Sequence, residues 1–133
     1  IIGSKLVECG ICSRDSYDRL LEEITLKSKS SCRRIIYIPH RGESGNNLDY
    51  IVNRYALDIV STKLPVELVG YELKVCPVNV YSVMSTALFS MSLVYDEAIM
   101  EVIPLSPDEI LSRKENIGNL YRVMSEYNFL VSK

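Results

Sequence analysis

Hydrophobic and polar positions alternate between short apolar runs and segments in which apolar residues recur every three or four positions. The first run spans residues 1–7, and the segment after it places Tyr17, Leu20, Leu21 and Ile24 at helical spacing. An apolar run is typical of a buried strand, and this spacing is typical of one face of a helix. The chain is therefore predicted to begin with a strand that leads into a helix.

The same alternation continues along the rest of the chain. Further strands are predicted at residues 34–38, 57–60, 77–84 and 99–103. Helix starts are predicted at Asn46 or Asn47, Leu64-Pro65, Ser85-Thr86 and Ser106-Pro107-Asp108-Glu109, and a last amphipathic stretch spans residues 117–127. Strands and helices that alternate in this way predict an α/β fold, with a mostly parallel sheet and helices on both faces.

Three polar features follow predicted strands, at the sheet edge where ligands bind in parallel sheets. They are the loop that begins at His40, the turn that contains Glu67, and the pair Ser85-Thr86. Each also has an ordinary interpretation, as a surface histidine, a solvated carboxylate and a helix N-cap. A helix N-terminus also attracts phosphate, and a carboxylate can accept hydrogen bonds from ribose hydroxyls. Nucleotide binding and plain structural roles both remain open on this evidence.

Known phosphate-binding motifs give no support to a dinucleotide or P-loop site. Neither G-x-G-x-x-G nor G-x-x-x-x-G-K-[ST] occurs in the sequence.

Arg41 and Glu43 are expected to pair with each other or with solvent, and such a surface pair contributes about 0–1 kcal/mol.

Composition and charge limit the classes of partner. The 133 residues are 47% hydrophobic, enough for the core of one domain, and the formal net charge is −2. Nucleic acid and anionic membrane surfaces are weak candidates because the chain has no broad positive field. No run approaches the ~20 apolar residues of a membrane span, and no signal peptide is recognised. We expect the chain to be a cytoplasmic domain excised from a longer protein. The full-length protein can lie at the inner face of the membrane.

The four cysteines offer one candidate for different chemistry. Cys9 and Cys12 form a C-x-x-C pair between a predicted strand and a predicted helix, whereas Cys32 and Cys76 are isolated. This pair is compatible with a thioredoxin-type dithiol, although buried cysteine is more often apolar filler. No second pair of the zinc-binding type is found.

Three segments together resemble the donor-binding half of bacterial sialyltransferases, closest to the lipooligosaccharide and capsule family. They are residues 37–43 (YIPHRGE), 64–68 (LPVEL) and 82–88 (SVMSTAL), and the resemblance extends over roughly residues 1–105. The family carries a His-Pro motif, a downstream acidic residue and a Ser-Ser or Ser-Thr motif, in that order. The chain departs from this pattern at Arg41, since its proline precedes the histidine.

The resemblance implies a Rossmann-like half of a GT-B glycosyltransferase over residues 1–133, whose acceptor-binding domain would precede this chain. It implies an inverting, metal-independent transfer of sialic acid from CMP-sialic acid to a glycan hydroxyl, by an enzyme that can pair as a homodimer. His40 would be the general acid at the leaving phosphate, and Glu67 would hold the ribose. Ser85 and Thr86 would bind the phosphate, and Arg41 would also be a nucleotide-binding residue. Asp18, in preference to Asp15, would be the general base.

Two further hypotheses remain beside the sialyltransferase. The first is a Rossmann-like module that binds a nucleotide or a partner without catalysis. A phosphoacceptor receiver is disfavoured because the strand that ends at Pro39 offers no cluster of aspartates. The second is a thiol oxidoreductase built on Cys9 and Cys12.

Overall fold

The computed structural model describes residues 1–31 and 34–131 as a mixed α/β structure. The α-helices are α1 (Arg14–Ser31), α2 (Gly45–Tyr55), α3 (Val69–Leu73), α4 (Ala87–Val94) and α5 (Lys114–Glu126), with a 3-10 turn at Val66–Leu68. The strands are β1 (Ile36–Tyr37), β2 (Asp58–Ile59), β3 (Asn79–Ser82), β4 (Ile99–Val102) and β5 (Leu130–Val131). Over these ranges, no helix is both long enough and apolar enough to span a membrane. The predicted α/β class is confirmed.

The strands pair in parallel in two small sheets, and the start of the chain lies between them. β1 pairs with β2, while β3, β4 and β5 pair in that order. Ile2 forms parallel bridges to Ile38 and to Ser82. Its amide donates to the Tyr81 carbonyl at 2.8 Å, and the Gly3 amide donates to the Ile38 carbonyl at 2.8 Å. Ile2 and the five strands therefore form six parallel segments in the spatial order β2, β1, Ile2, β3, β4, β5. When the segments are numbered along the chain, with Ile2 as segment 1 and β5 as segment 6, this order is 3-2-1-4-5-6.

Two hydrophobic clusters occupy the two faces of β3. Tyr81 packs in one cluster with Leu20 of α1 and Ile51 of α2. The neighbouring residue Val80 packs in the other cluster with Leu88 of α4. Because successive strand residues point to opposite faces, α1 and α2 lie on one side of β3 and α4 lies on the other.

The predicted strand over residues 1–7 is much shorter in the structure. Only Ile2 makes strand bridges there, and turns follow as far as Gly10. The Cys9 amide donates to the Lys5 carbonyl at 3.1 Å, and Gly10 has a φ of 62°. Glycine adopts this left-handed conformation without the steric cost that a side chain adds. The chain therefore reverses early and enters α1.

The helix start predicted at residues 106–109 forms its local hydrogen bonds without forming a helix. The Ser106 amide donates to the Glu109 carboxylate at 2.9 Å, and the Glu109 amide donates to the Ser106 carbonyl at 2.9 Å. A helix does not follow because the Leu111 amide donates instead to the Ile11 carbonyl at 2.7 Å. The next helix, α5, starts only at Lys114.

The N-cap of α2 also differs from the prediction. Ser44 caps the helix, and its hydroxyl accepts a hydrogen bond from the Asn47 amide at 3.3 Å. Asn46 and Asn47 were predicted as caps, but both lie inside the first turn. Asn47 is buried there, and its side-chain amide donates to the Glu43 carboxylate in the preceding loop.

Candidate functional site

A cavity of about 530 Å³ opens at the carboxyl ends of β1, β2, β3 and the Ile2 bridge. Its lining includes Pro39 after β1, Ser61 after β2 and Ser85 after β3. Its volume lies within the range of about 300–1,000 Å³ that is typical of small-ligand sites. The cavity therefore occupies the sheet edge at which parallel α/β structures bind ligands.

The cavity brings together four of the six residues that the sequence predicts for the site. These are His40, Arg41, Glu67 and Ser85. They come from the loop after β1, the 3-10 turn before α3 and the loop between β3 and α4, so tertiary packing is what makes them neighbours. The other two, Asp18 and Thr86, do not line the cavity.

His40 lies in a four-residue turn closed by three hydrogen bonds. The Glu43 amide donates to the His40 carbonyl at 2.9 Å, and the His40 amide donates to the Glu43 carboxylate at 2.6 Å. The Gly42 amide donates to Nδ1 of the His40 ring at 3.0 Å. A ring nitrogen that accepts a hydrogen bond carries no proton, so these bonds assign the proton of the neutral ring to Nε2.

Glu43 lines the same cavity, although its sequence context predicts only a surface pair with Arg41. Tyr37 donates to its carboxylate at 2.5 Å, and the side-chain amide of Asn47 donates to it at 3.2 Å. Burial raises the pKa of the Glu43 carboxyl to about 7, against the lowering effect of the bonds from Tyr37 and His40. An acidic residue three positions after His40 is the sequence signal that could have identified it.

The Glu43 carboxylate is connected to the interior through two buried tyrosines. The hydroxyls of Tyr17 and Tyr37 lie 2.9 Å apart, and the Ser4 amide donates to the Tyr17 hydroxyl at 3.3 Å. Burial raises the pKa of both phenols, so they remain protonated at neutral pH. The turn that holds His40 is thus attached to the core between α1 and β1.

Glu67 reaches the cavity from the 3-10 turn and is held by α4. The Ser90 hydroxyl donates to its carboxylate. The Tyr95 hydroxyl donates to its backbone carbonyl at 2.7 Å. Glu67 is half-buried, which leaves part of its surface open to the cavity. This setting suits a carboxylate that accepts hydrogen bonds from ligand hydroxyls.

Ser85 and Thr86 have different surroundings at the start of α4. The Ser85 hydroxyl accepts a hydrogen bond from the Ala87 amide at 3.3 Å, and Ser85 is half-buried. A serine hydroxyl that accepts one bond can still donate its own proton to an anion. Thr86 is exposed, makes no side-chain cap bond and lies outside the cavity lining. Of the pair, Ser85 is therefore the residue that lines the cavity.

Asp18 lies on the face of α1 that contacts α2, outside the cavity lining. It is 8% exposed, and its Oδ2 accepts a hydrogen bond from the Tyr50 hydroxyl at 2.6 Å. Its Oδ1 is buried and has no hydrogen-bond partner within the described part of the chain. Arg14 and Arg54 both lie over the Tyr50 ring. Asp15, the other acidic candidate, is exposed on α1. The structure does not bring either carboxylate to His40.

The two thiols of the C-x-x-C pair lie in different surroundings. Cys9 is exposed and Cys12 is buried, and both are free thiols. Burial raises the pKa of the Cys12 thiol to about 11. Cys76 is a free, exposed thiol, and Cys32 lies outside the described residues. Over residues 1–31 and 34–131, no group of three His, Cys, Asp or Glu side chains is arranged to hold a metal ion.

Comparison with known proteins adds no identification. No family model matches the sequence, and no curated protein or solved structure matches it significantly. Any function must therefore be proposed from the residues of the cavity and from their chemistry.

Proposed function

We propose that this chain is the donor-binding half of a glycosyltransferase that transfers sialic acid from CMP-sialic acid to a terminal sugar hydroxyl of a bacterial surface glycan. One observation carries the proposal: His40, Arg41, Glu67 and Ser85 line a single cavity. They are four of the five residues that the resemblance to bacterial sialyltransferases implies for nucleotide binding, Thr86 being the fifth. On this proposal, a separate domain holds the acceptor.

The order of the parallel segments supports a Rossmann-like assignment. The order 3-2-1-4-5-6 is that of doubly wound α/β folds, which bind nucleotides where the strand order reverses. In this chain the reversal lies between the Ile2 bridge and β3. Gly3 and Ser85 follow these two segments, and both line the cavity. We therefore propose that the chain is one half of a GT-B glycosyltransferase.

The chemistry of the cavity suits departure of CMP. In an inverting transfer, the acceptor hydroxyl attacks the anomeric carbon, the bond from that carbon to the phosphate oxygen breaks, and negative charge grows on the phosphate. The His40 ring, the Arg41 guanidinium and the Ser85 hydroxyl at the start of α4 can donate to this charge where it develops. Glu67 would accept from the ribose hydroxyls. We propose that these donors suffice without a metal ion.

A general base must also remove the proton of the acceptor hydroxyl. A base must reach the proton that it removes, and Asp18 is hydrogen-bonded to Tyr50 outside the cavity. The donor-binding proposal rests on the residues that line the cavity and does not depend on Asp18.

The test is a calorimetric titration of the chain with CMP, AMP and UMP. We expect CMP to bind more tightly than the other two nucleotides. His40→Ala and Ser85→Ala should each weaken CMP roughly tenfold or more, as expected for loss of a hydrogen bond to a charged group. Ser92→Ala is the matched control, because the Ser92 hydroxyl donates to the Phe89 carbonyl on the same helix and lies outside the cavity.

Two outcomes would contradict the proposal. If CMP does not bind, or if the His40→Ala and Ser85→Ala variants bind CMP as tightly as the wild-type protein does, the cavity is not the donor site. If all three nucleotides bind equally and both variants weaken them, the alternative of a nucleotide-binding module without sialyl transfer is supported instead.

A further inference from the structure

The turn from His40 to Glu43 is closed in both directions by the same pair of residues. The amide of Glu43 donates to the carbonyl of His40, and the amide of His40 donates to the carboxylate of Glu43. Within this closed turn, the Gly42 amide points at Nδ1 of the His40 ring. The ring contact therefore depends on the turn keeping its shape.

The Glu43 carboxylate is what ties this exposed turn to rigid parts of the fold. His40 and Gly42 are exposed, so packing alone does not hold them. The Tyr37 hydroxyl and the Asn47 amide both donate to Glu43, and both of these side chains are buried. One carboxylate oxygen thus accepts hydrogen bonds from Tyr37 of β1 and Asn47 of α2, while the other accepts a hydrogen bond from the His40 amide.

We infer that Glu43 is a positioning residue that, by holding the turn closed, selects the Nε2–H form of His40 as the hydrogen-bond donor at the cavity. A neutral imidazole free of the Gly42 amide exchanges between two tautomers, and only one of them donates from Nε2. The use of that nitrogen toward a phosphate rests on the proposed function. The tautomer itself does not, because it is set by bonds within the unliganded chain.

The test is nitrogen NMR of the protein labelled with ¹⁵N-histidine. His40 is the only histidine, so the spectrum reports one ring without assignment ambiguity. At a pH where the ring is neutral, we expect the Nε2–H tautomer alone in the wild-type protein. Glu43→Gln leaves one acceptor oxygen in place of two, so the side chain can no longer accept from the His40 amide and from Tyr37 and Asn47 at once. A mixture of both tautomers is therefore expected.

Glu8→Gln is the matched control for loss of a nearby negative charge. Glu8 is exposed, and its carboxylate accepts from the Ser44 amide at 3.2 Å, one residue beyond the turn. We expect its spectrum to match the wild type. A wild-type ring that is mixed or protonated on Nδ1 would overturn the inference, and so would a Glu43→Gln spectrum identical to the wild type.

Two further measurements cover the case in which Glu43→Gln does not fold. Glu43→Asp keeps the charge but withdraws the carboxylate by one methylene from the His40 amide, so it should also give mixed tautomers. In the wild-type protein labelled uniformly with ¹⁵N, a scalar coupling across the hydrogen bond between the Gly42 nitrogen and Nδ1 of His40 is expected. Its absence would refute the ring contact directly.

Nucleotide titration separates this inference from the proposed function. We expect Glu43→Gln to weaken CMP about two- to tenfold, the equivalent of one ordinary hydrogen bond. If the tautomer shifts in Glu43→Gln but CMP binds neither protein, the proposed function fails and the positioning role stands. If CMP binds both proteins equally and the tautomer is unchanged, the positioning role fails and the proposed function stands.

Discussion

Replacing Gly3 by alanine tests how tightly this cavity-lining residue packs against Tyr37 and Glu43. A Cβ at this position would lie 2.6 Å from the Tyr37 hydroxyl oxygen and 2.8 Å from the carbon that bears it, and it would also press on the Glu43 carboxylate. Real Cβ atoms do not approach heavy atoms so closely, so something must move. Moving the Tyr37 side chain costs free energy, because it is fully buried and hydrogen-bonded to Tyr17 and Glu43.

The magnitude follows from two costs. Overpacking a well-packed site costs about 1–3 kcal/mol, and breaking the bond from Tyr37 to the Glu43 carboxylate costs about 1.5–3 kcal/mol. We therefore expect Gly3→Ala to lower the free energy of unfolding by about 3–5 kcal/mol, out of a total of about 5–15 kcal/mol for a domain. The corresponding fall in Tm is about 10–20 °C.

The assay is urea unfolding followed by circular dichroism, with Gly118→Ala as the matched control. A Cβ at Gly118 has no heavy atom within 4 Å, and the residue lies inside α5, where alanine is favoured over glycine by about 1 kcal/mol. Gly118→Ala should therefore stabilise the protein. If Gly3→Ala lowers the free energy of unfolding by less than about 1 kcal/mol, Tyr37 and Glu43 have room to move, and the tight packing around Gly3 is refuted.

Three further predictions concern buried groups. Tyr50→Phe removes the donor to the buried Asp18 carboxylate and should cost about 1–3 kcal/mol in urea unfolding; an unchanged midpoint would mean that Asp18 finds another donor. Because the pKa of Glu43 is raised from 4.5 to about 7 in the folded protein, the folded state binds more protons between these values. Ionisation of Glu43 therefore lowers the free energy of unfolding as pH rises from about 4.5 to 7. In Glu43→Gln, unfolding curves measured between these pH values should lack this decrease. Cys12, with a thiol pKa raised to about 11 by burial, should react with iodoacetamide more slowly than exposed Cys9 in a mass-spectrometric time course; equal rates would show that Cys12 is accessible.

Local patterns predicted the elements whose stability depends on their own side chains. The apolar spacing of Leu20, Leu21 and Ile24 predicted α1, since these side chains form one buried face. The start at residues 106–109 was wrong for a non-local reason. Its local bonds form as the sequence predicts, but the hydrogen bond from Leu111 to Ile11 competes with helix propagation.

The candidate site divides in the same way. The positions of His40, Glu67 and Ser85 after predicted strands indicated the cavity edge, because the carboxyl ends of parallel strands share one side of a sheet. Glu43 was missed as a site residue because its partners Tyr37 and Asn47 are identified only by the packing of β1 against α2.

By itself, the sequence determined the alternation of strands and helices and the polar residues that follow each strand, since both depend on the local period of apolar side chains. Only the tertiary structure decided which of those residues meet. It placed Arg41 in the cavity, left Thr86 in solvent and buried Asp18 where α1 contacts α2. The physical reason is that strand order and side-chain hydrogen bonds join residues far apart in the chain, and no local period records such contacts.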